Sequence, residues 1–129
     1  MKYSIVGCII LLMVSCENLS NPPLCGKWQL KTVEKNGEIL SVDTVWYNFQ
    51  SKSLFSVQIY DIPWDTFVGV RTQEDNLLSI QIFNNRFNKD IVDYTDWKSP
   101  IRLFTIEKVN RQRLLLRSEE GYLYSFIRF

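Results

Sequence analysis

Apolar side chains fall at every second position in the middle of this chain: Phe55, Val57 and Ile59 alternate with Ser56 and Gln58, and Leu78, Ile80 and Ile82 repeat the spacing. A period of two collects the apolar groups on one face of an extended strand, whereas a helical face recurs about every 3.6 residues. Turn-forming residues punctuate the runs at Lys35-Asn36-Gly37-Glu38, Ser51-Lys52, Glu74-Asp75-Asn76, Asn110-Arg111-Gln112 and Glu119-Glu120-Gly121. The pattern predicts eight strands over 27–34, 45–50, 53–60, 66–72, 77–83, 101–109, 113–118 and 121–128. In the first, Trp28, Leu30 and Thr32 are expected to share a face. Residues 39–42 extend a neighbouring strand or form a short connection. Pro63 interrupts the ladder after the third strand, because proline cannot donate to it. Gly69 inside the fourth predicts a bulge or a tight corner.

Eight antiparallel strands joined by hairpins suit a closed up-and-down barrel or a sandwich. Gly26-Lys27-Trp28 at the start of the first strand and Arg128 in the last favour the barrel. Glycine lets the backbone turn or approach a neighbour closely, and a guanidinium from the final strand can lie over the indole. This opening and closing pair resembles the calycin pattern of lipocalins and fatty-acid-binding proteins. The stretch from Leu24 to the end is similar to short bacterial lipocalin-like lipoproteins. The resemblance includes Phe104-Thr105-Ile106-Glu107-Lys108-Val109, Leu114-Leu115-Leu116 and Tyr124-Ser125-Phe126-Ile127-Arg128. It implies an all-β, eight-stranded antiparallel up-and-down barrel, lipocalin-like, over residues 25–129. One short helix or lid segment should precede strand six. Large inward residues such as Tyr47, Phe49 and Phe55 would fill much of so short a barrel and leave a shallow cup.

The first residues have a different character. Lys2 precedes an apolar run from Ile5 to Val14, too short for the roughly 20 residues that span a bilayer. It reads as a secretion signal. The run ends in Leu12-Met13-Val14-Ser15-Cys16, which resembles the lipobox of bacterial lipoproteins. That resemblance implies a signal peptide over 1–15, cleavage before Cys16, and acylation of Cys16 by chains such as palmitate. Several acyl chains on one cysteine anchor firmly where one alone does not. The expected location is the cell envelope, tethered to the outer membrane, with no leaflet assigned. Residues 16–24, which carry Pro22-Pro23, form an extended linker. Removal of Cys8 with the leader and acylation of Cys16 leave no pair for an intramolecular disulfide. Cys25 is then expected to act as a small buried hydrophobe beside Gly26.

Loss of residues 1–15 removes Lys2 and leaves fourteen basic and fourteen acidic side chains. With no basic stripe, nucleic acid is not an expected partner. The chain contains no histidine, which removes the commonest general base and metal ligand. No phosphate-binding glycine loop or paired-cysteine motif is present. Neither enzymatic activity nor a cofactor or metal is expected. Asp90, Asp93 and Asp96 recur every third residue and can gather oxygen ligands for calcium or simply form a solvated face. Asp61 and Asp65 flank Trp64 in a loop, where they can cradle a sugar or cap turns.

Residues 84–100 are long for a hairpin connection, and long connections are usually lids or binding loops. Phe87, Ile91, Tyr94 and Trp97 are spaced as on a helix, which either covers the barrel mouth or packs beneath it as core. Trp64, Phe87, Tyr94 and Trp97 are therefore the candidate ligand-binding residues. Two functions follow from these readings. One is a lipid-anchored barrel that binds a small apolar or amphipathic ligand at its mouth. The other is a non-catalytic interaction module whose filled barrel contacts another envelope protein.

Overall fold

The computed structural model describes residues 24–60, 65–85 and 88–129. The signal peptide, Cys16, nearly all of the linker, Trp64 and Phe87 lie outside the described residues.

Nine strands form: β1 (Gly26–Lys35), β2 (Glu38–Ser41), β3 (Val45–Phe49), β4 (Leu54–Ile59), β5 (Asp65–Glu74), β6 (Leu77–Ile82), β7 (Ile101–Val109), β8 (Arg113–Ser118) and β9 (Leu123–Arg128). Apart from β2, each pairs antiparallel with the next in a single sheet, and β9 returns to pair with β1. The result is the closed eight-stranded barrel expected from the alternation. Residues 38–41 are an additional strand. The first half of β1 pairs with β3, from Gly26 opposite Phe49 to Gln29 opposite Trp46. Its second half pairs with β2, from Thr32 opposite Ser41 to Lys35 opposite Glu38. Asn36 and Gly37 connect the two with φ of 54° and 82°, the left-handed pair that matches the twist of a two-residue hairpin.

Two departures from the alternation have local causes. The β1–β9 register shifts between Leu30 and Thr32, so the inward set is Trp28, Leu30 and Val33, and Thr32 is excluded from it. Gly69 lies in an unbroken register with Ile82, so it marks no bulge. A Cβ there would stand 2.0 Å from the Gln81 carbonyl oxygen, which makes it a close approach between β5 and β6.

The interior is filled. Trp28, Phe49, Phe67, Leu78, Ile80, Leu114, Leu116 and Tyr124 have no accessible surface. Each such side chain contributes about 1.5–3 kcal/mol by leaving water. Tyr47 sits among Phe55, Trp97, Phe104 and Phe126, with ring centroids 4.8–6.4 Å apart, in the edge-on and tilted geometries that aromatic quadrupoles favour.

The helix expected from Phe87, Ile91, Tyr94 and Trp97 is a single 3-10 turn, Ile91–Asp93. Side chains satisfy the local backbone in its place. Asn85 Oδ1 accepts from Lys89 N, Asp90 Oδ1 from Val92 N, and Thr95 Oγ1 from Trp97 N. Ile91 and Trp97 are buried in the core, so the segment plugs the barrel from within its own end. Cys25 is half-buried and disulfide-bonded, which overturns the expectation that it forms no such bond. The other cysteines, Cys8 and Cys16, both lie outside the described residues; cleavage before Cys16 and its acylation would take this bond away.

Candidate functional site

The two ends of the barrel differ. At the closed end, Trp28 Nε1 donates to the Leu24 carbonyl at 2.9 Å, and the Arg128 guanidinium lies 4.1 Å from the indole centroid. Arg128 also donates to the Cys25 carbonyl at 2.9 Å and to that of Arg111 at 2.7 Å. Gly26 has φ of 132°, and a Cβ there would lie 2.3 Å from Arg128 Nη1. These three residues thus form one assembly, with glycine required by the guanidinium against its backbone. A buried cation, Arg71, lies 5.1 Å from the Phe49 ring and donates to the Ser51 carbonyl. Burial holds its pKa below the usual guanidinium value.

The opposite end is the mouth, where the β1–β2 hairpin, the start of β3 and residues 95–97 meet. A cup of about 160 Å³ opens there. Its walls are apolar, from Leu30, Val33, Leu40 and Val45, and its floor is Tyr47 and Trp97. Trp97 Nε1 donates to the Tyr47 hydroxyl at 2.9 Å, which fixes both rings. Burial pushes the Tyr47 phenol well above its ordinary range, so the floor stays neutral. Lys35 and Asp96 stand at the rim, joined by an ion pair of 3.3 Å.

Asp96 is the hub of the rim. It accepts from the Tyr124 hydroxyl and pairs with Arg102 at 3.4 Å. Burial alone would raise its pKa. The Tyr124 hydrogen bond and the charges of Arg102 and Lys35 outweigh that and hold the carboxyl below its usual value. Arg102 is buried against the rings of Tyr124 and Phe104, at 4.8 and 4.9 Å. Burial works against its charge, but the neighbouring Tyr47, Tyr124 and Asp96 raise its pKa overall. Every polar group of this rim is engaged in holding another.

Of the candidate ligand-binding residues, Trp97 lines the cup. Tyr94 does not; it is exposed and packs on Phe67 at 6.0 Å, with Lys89 Nζ 5.2 Å from its ring. Asp65 is buried in β5 and paired with Lys89 at 3.0 Å, a structural role. Asp90 caps the 3-10 turn while Asp96 faces the rim cations, and among the described residues no acidic cluster suits a metal.

The sequence of residues 11–129 matches the family model of the lipocalin-like domain. The chain belongs to the lipocalin-like domain family. A solved lipocalin-like protein from Bacteroides uniformis ATCC 8492 is 31% identical, covering 82% of this chain and 98% of that one with a TM-score of 0.73. An uncharacterized protein from Bacteroides eggerthii DSM 20697 is 24% identical over 81% of this chain and 98% of that one, at a TM-score of 0.67, and supports the fold alone. No curated protein matches the sequence.

In this lipocalin-like barrel the sequence reading missed Lys35, Arg102 and Tyr124. The signal for Arg102 was present. It shares strand parity with Phe104 and Ile106, and a charged residue at an inward position marks a buried network. Lys35 carried no such signal, since only the β1–β2 hairpin brings it to the mouth.

Proposed function

We propose that this lipocalin-like barrel is a lipid-anchored envelope protein that holds a small apolar group in the cup at its mouth. The observation that carries the reading is the apolar cup with a charged rim at one end of the barrel. At about 160 Å³ it falls below the roughly 300–1,000 Å³ of sites that enclose a drug-sized molecule. The ligand is therefore small, or offers only one end. The reading is non-catalytic: the chain has no histidine, and the rim carboxylate is committed to three partners. Anchorage is supported by the signal-like leader and the Cys16 lipobox.

The tether enters at the closed end, beside Cys25. Ten residues of β1 (Gly26–Lys35), at about 3.3 Å each and tilted by about 40°, separate it from the mouth by roughly 25 Å. An anchored barrel would present its cup away from the membrane.

The test is tryptophan fluorescence of the full chain in detergent, titrated with short- and long-chain fatty acids and sterols and compared with Trp97→Phe. A saturable change lost in Trp97→Phe and in the cup-filling variant Val33→Trp is expected. No change with any of these ligands, together with native mass spectra free of bound species, would overturn the reading.

A further inference from the structure

The short strand β2 leaves one of its edges unpaired among the described residues. Strand β2 pairs with β1 and, among the described residues, with no other strand. The hairpin geometry sets which of its groups face outward. Lys35 and Glu38 flank a two-residue turn, and Val42 N donates to the Lys31 carbonyl at 2.8 Å. Alternation between those pairs directs the N–H and C=O of Glu38 and Leu40 toward β1. The N–H and C=O of Ile39 and Ser41 face the outer edge. Natural sheets blunt such edges with lysine, proline or a bulge. Here the outward positions are an isoleucine that is 66% exposed and a serine, and the register of β2 is unbroken.

This edge borders the cup, because Leu40 is both a β2 residue and part of the cup wall. We propose that the mouth captures an extended peptide segment of a partner protein, which adds as a strand to β2 through Ile39 and Ser41 and places one apolar side chain in the cup. The proposal rests on the cup described above and names its occupant. Free main-chain donors and acceptors in a row are complemented by another backbone, as in other strand-addition sites. The cup beside them is the size of one large apolar side chain, which supplies the selectivity. A folded partner or second copy fits less well. A four-residue strand buries far less than the roughly 800 Å² per partner of a stable interface between folded proteins.

The probes are blocked heptapeptides Thr-Val-Thr-Xaa-Thr-Val-Thr, with Leu, Ile, Phe, Met, Tyr or Trp at Xaa, and the same peptides N-methylated along one edge. Hydrogen exchange of the full chain in detergent is followed at single amides. In the free protein, Ile39 and Ser41 should exchange at least tenfold faster than Glu38 and Leu40. At least one peptide should slow Ile39 and Ser41 tenfold or more and change Trp97 fluorescence, while its N-methylated form does neither. Ile39→Pro removes an outward donor and no bond to β1; it should abolish peptide binding while fatty-acid binding and the melting temperature persist.

Protection of Ile39 and Ser41 in the free chain at all concentrations would mean that the chain covers its own edge. Protection that grows with protein concentration would mean that a second copy does. Either outcome overturns the proposal, as does failure of all six peptides. Fatty acids that bind while every peptide fails would sink this inference and leave the cup reading standing.

Discussion

The guanidinium of Arg128 stacks on Trp28 and donates to two main-chain carbonyls, those of Cys25 and Arg111, so it ties the last strand to the start of the first. Lysine keeps the charge but not the planar fork. Arg128→Lys should cost about 1–2 kcal/mol and Arg128→Ala about 2–4 kcal/mol, from the lost cation–π contact and the orphaned carbonyls; urea midpoints measure both. A lysine variant as stable as the parent would refute the role given to the fork. Asp96 yields a pH-dependent prediction. Its folded pKa is depressed, so its stabilisation is present above the unfolded value near about 3.9 and is lost as pH falls through the folded value. Asp96→Asn should cost about 1.5–3 kcal/mol at neutral pH, the range for a hydrogen bond to a charged group. The gap should close as pH falls through the folded value, where the parent carboxyl is protonated too. Urea denaturation at several pH values reads this, and a gap independent of pH would contradict it.

Among the elements, the eight barrel strands were legible because most of their turns are short and each strand spans at least five residues. The limits expected for 101–109 and 113–118 coincide with β7 and β8. Legibility failed where side chains replace ladder bonds. Between β6 and β7, the Asn85, Asp90 and Thr95 side chains satisfy the backbone locally, so four apolar residues at helical spacing did not require a helix. Parity failed after Leu30 because a bulge adds one residue to β1, which composition does not reveal. The Trp28–Arg128 pair was legible from its residue types, and a shallow cup from the large inward side chains; the cup's wall was not, since it joins residues from β1, β2, β3 and the 95–97 segment. The two glycine positions test the element reading in opposite ways. Gly69→Ala drives a Cβ toward the Gln81 carbonyl, which only backbone movement relieves, and should cost about 3 kcal/mol or more. Gly37→Ala meets no atom within 4 Å and bears only the strain of φ 82°, about 1 kcal/mol. Thermal melts of the two variants should therefore separate clearly, with Gly69→Ala the lower.

At the scale of the molecule, the closed end and the mouth divide the work, and the covalent order of the chain fixes which end meets a tether. Everything before Leu24 attaches at the Trp28–Arg128 end, so lipid on Cys16 would hold the barrel by its base. Cys16→Ser should then shift the protein from the membrane to the soluble fraction while leaving Trp97 fluorescence unchanged, because the described residues that line the cup all lie between Leu30 and Trp97. In the anchored parent, the part of the emission lost in Trp97→Phe should resist quenching by doxyl-labelled lipids, since the cup stands roughly 25 Å from the tether along β1. Strong quenching of that component would mean that the barrel lies on its side against the bilayer, with the mouth at the membrane and the cup open to lipid rather than to partners in solution.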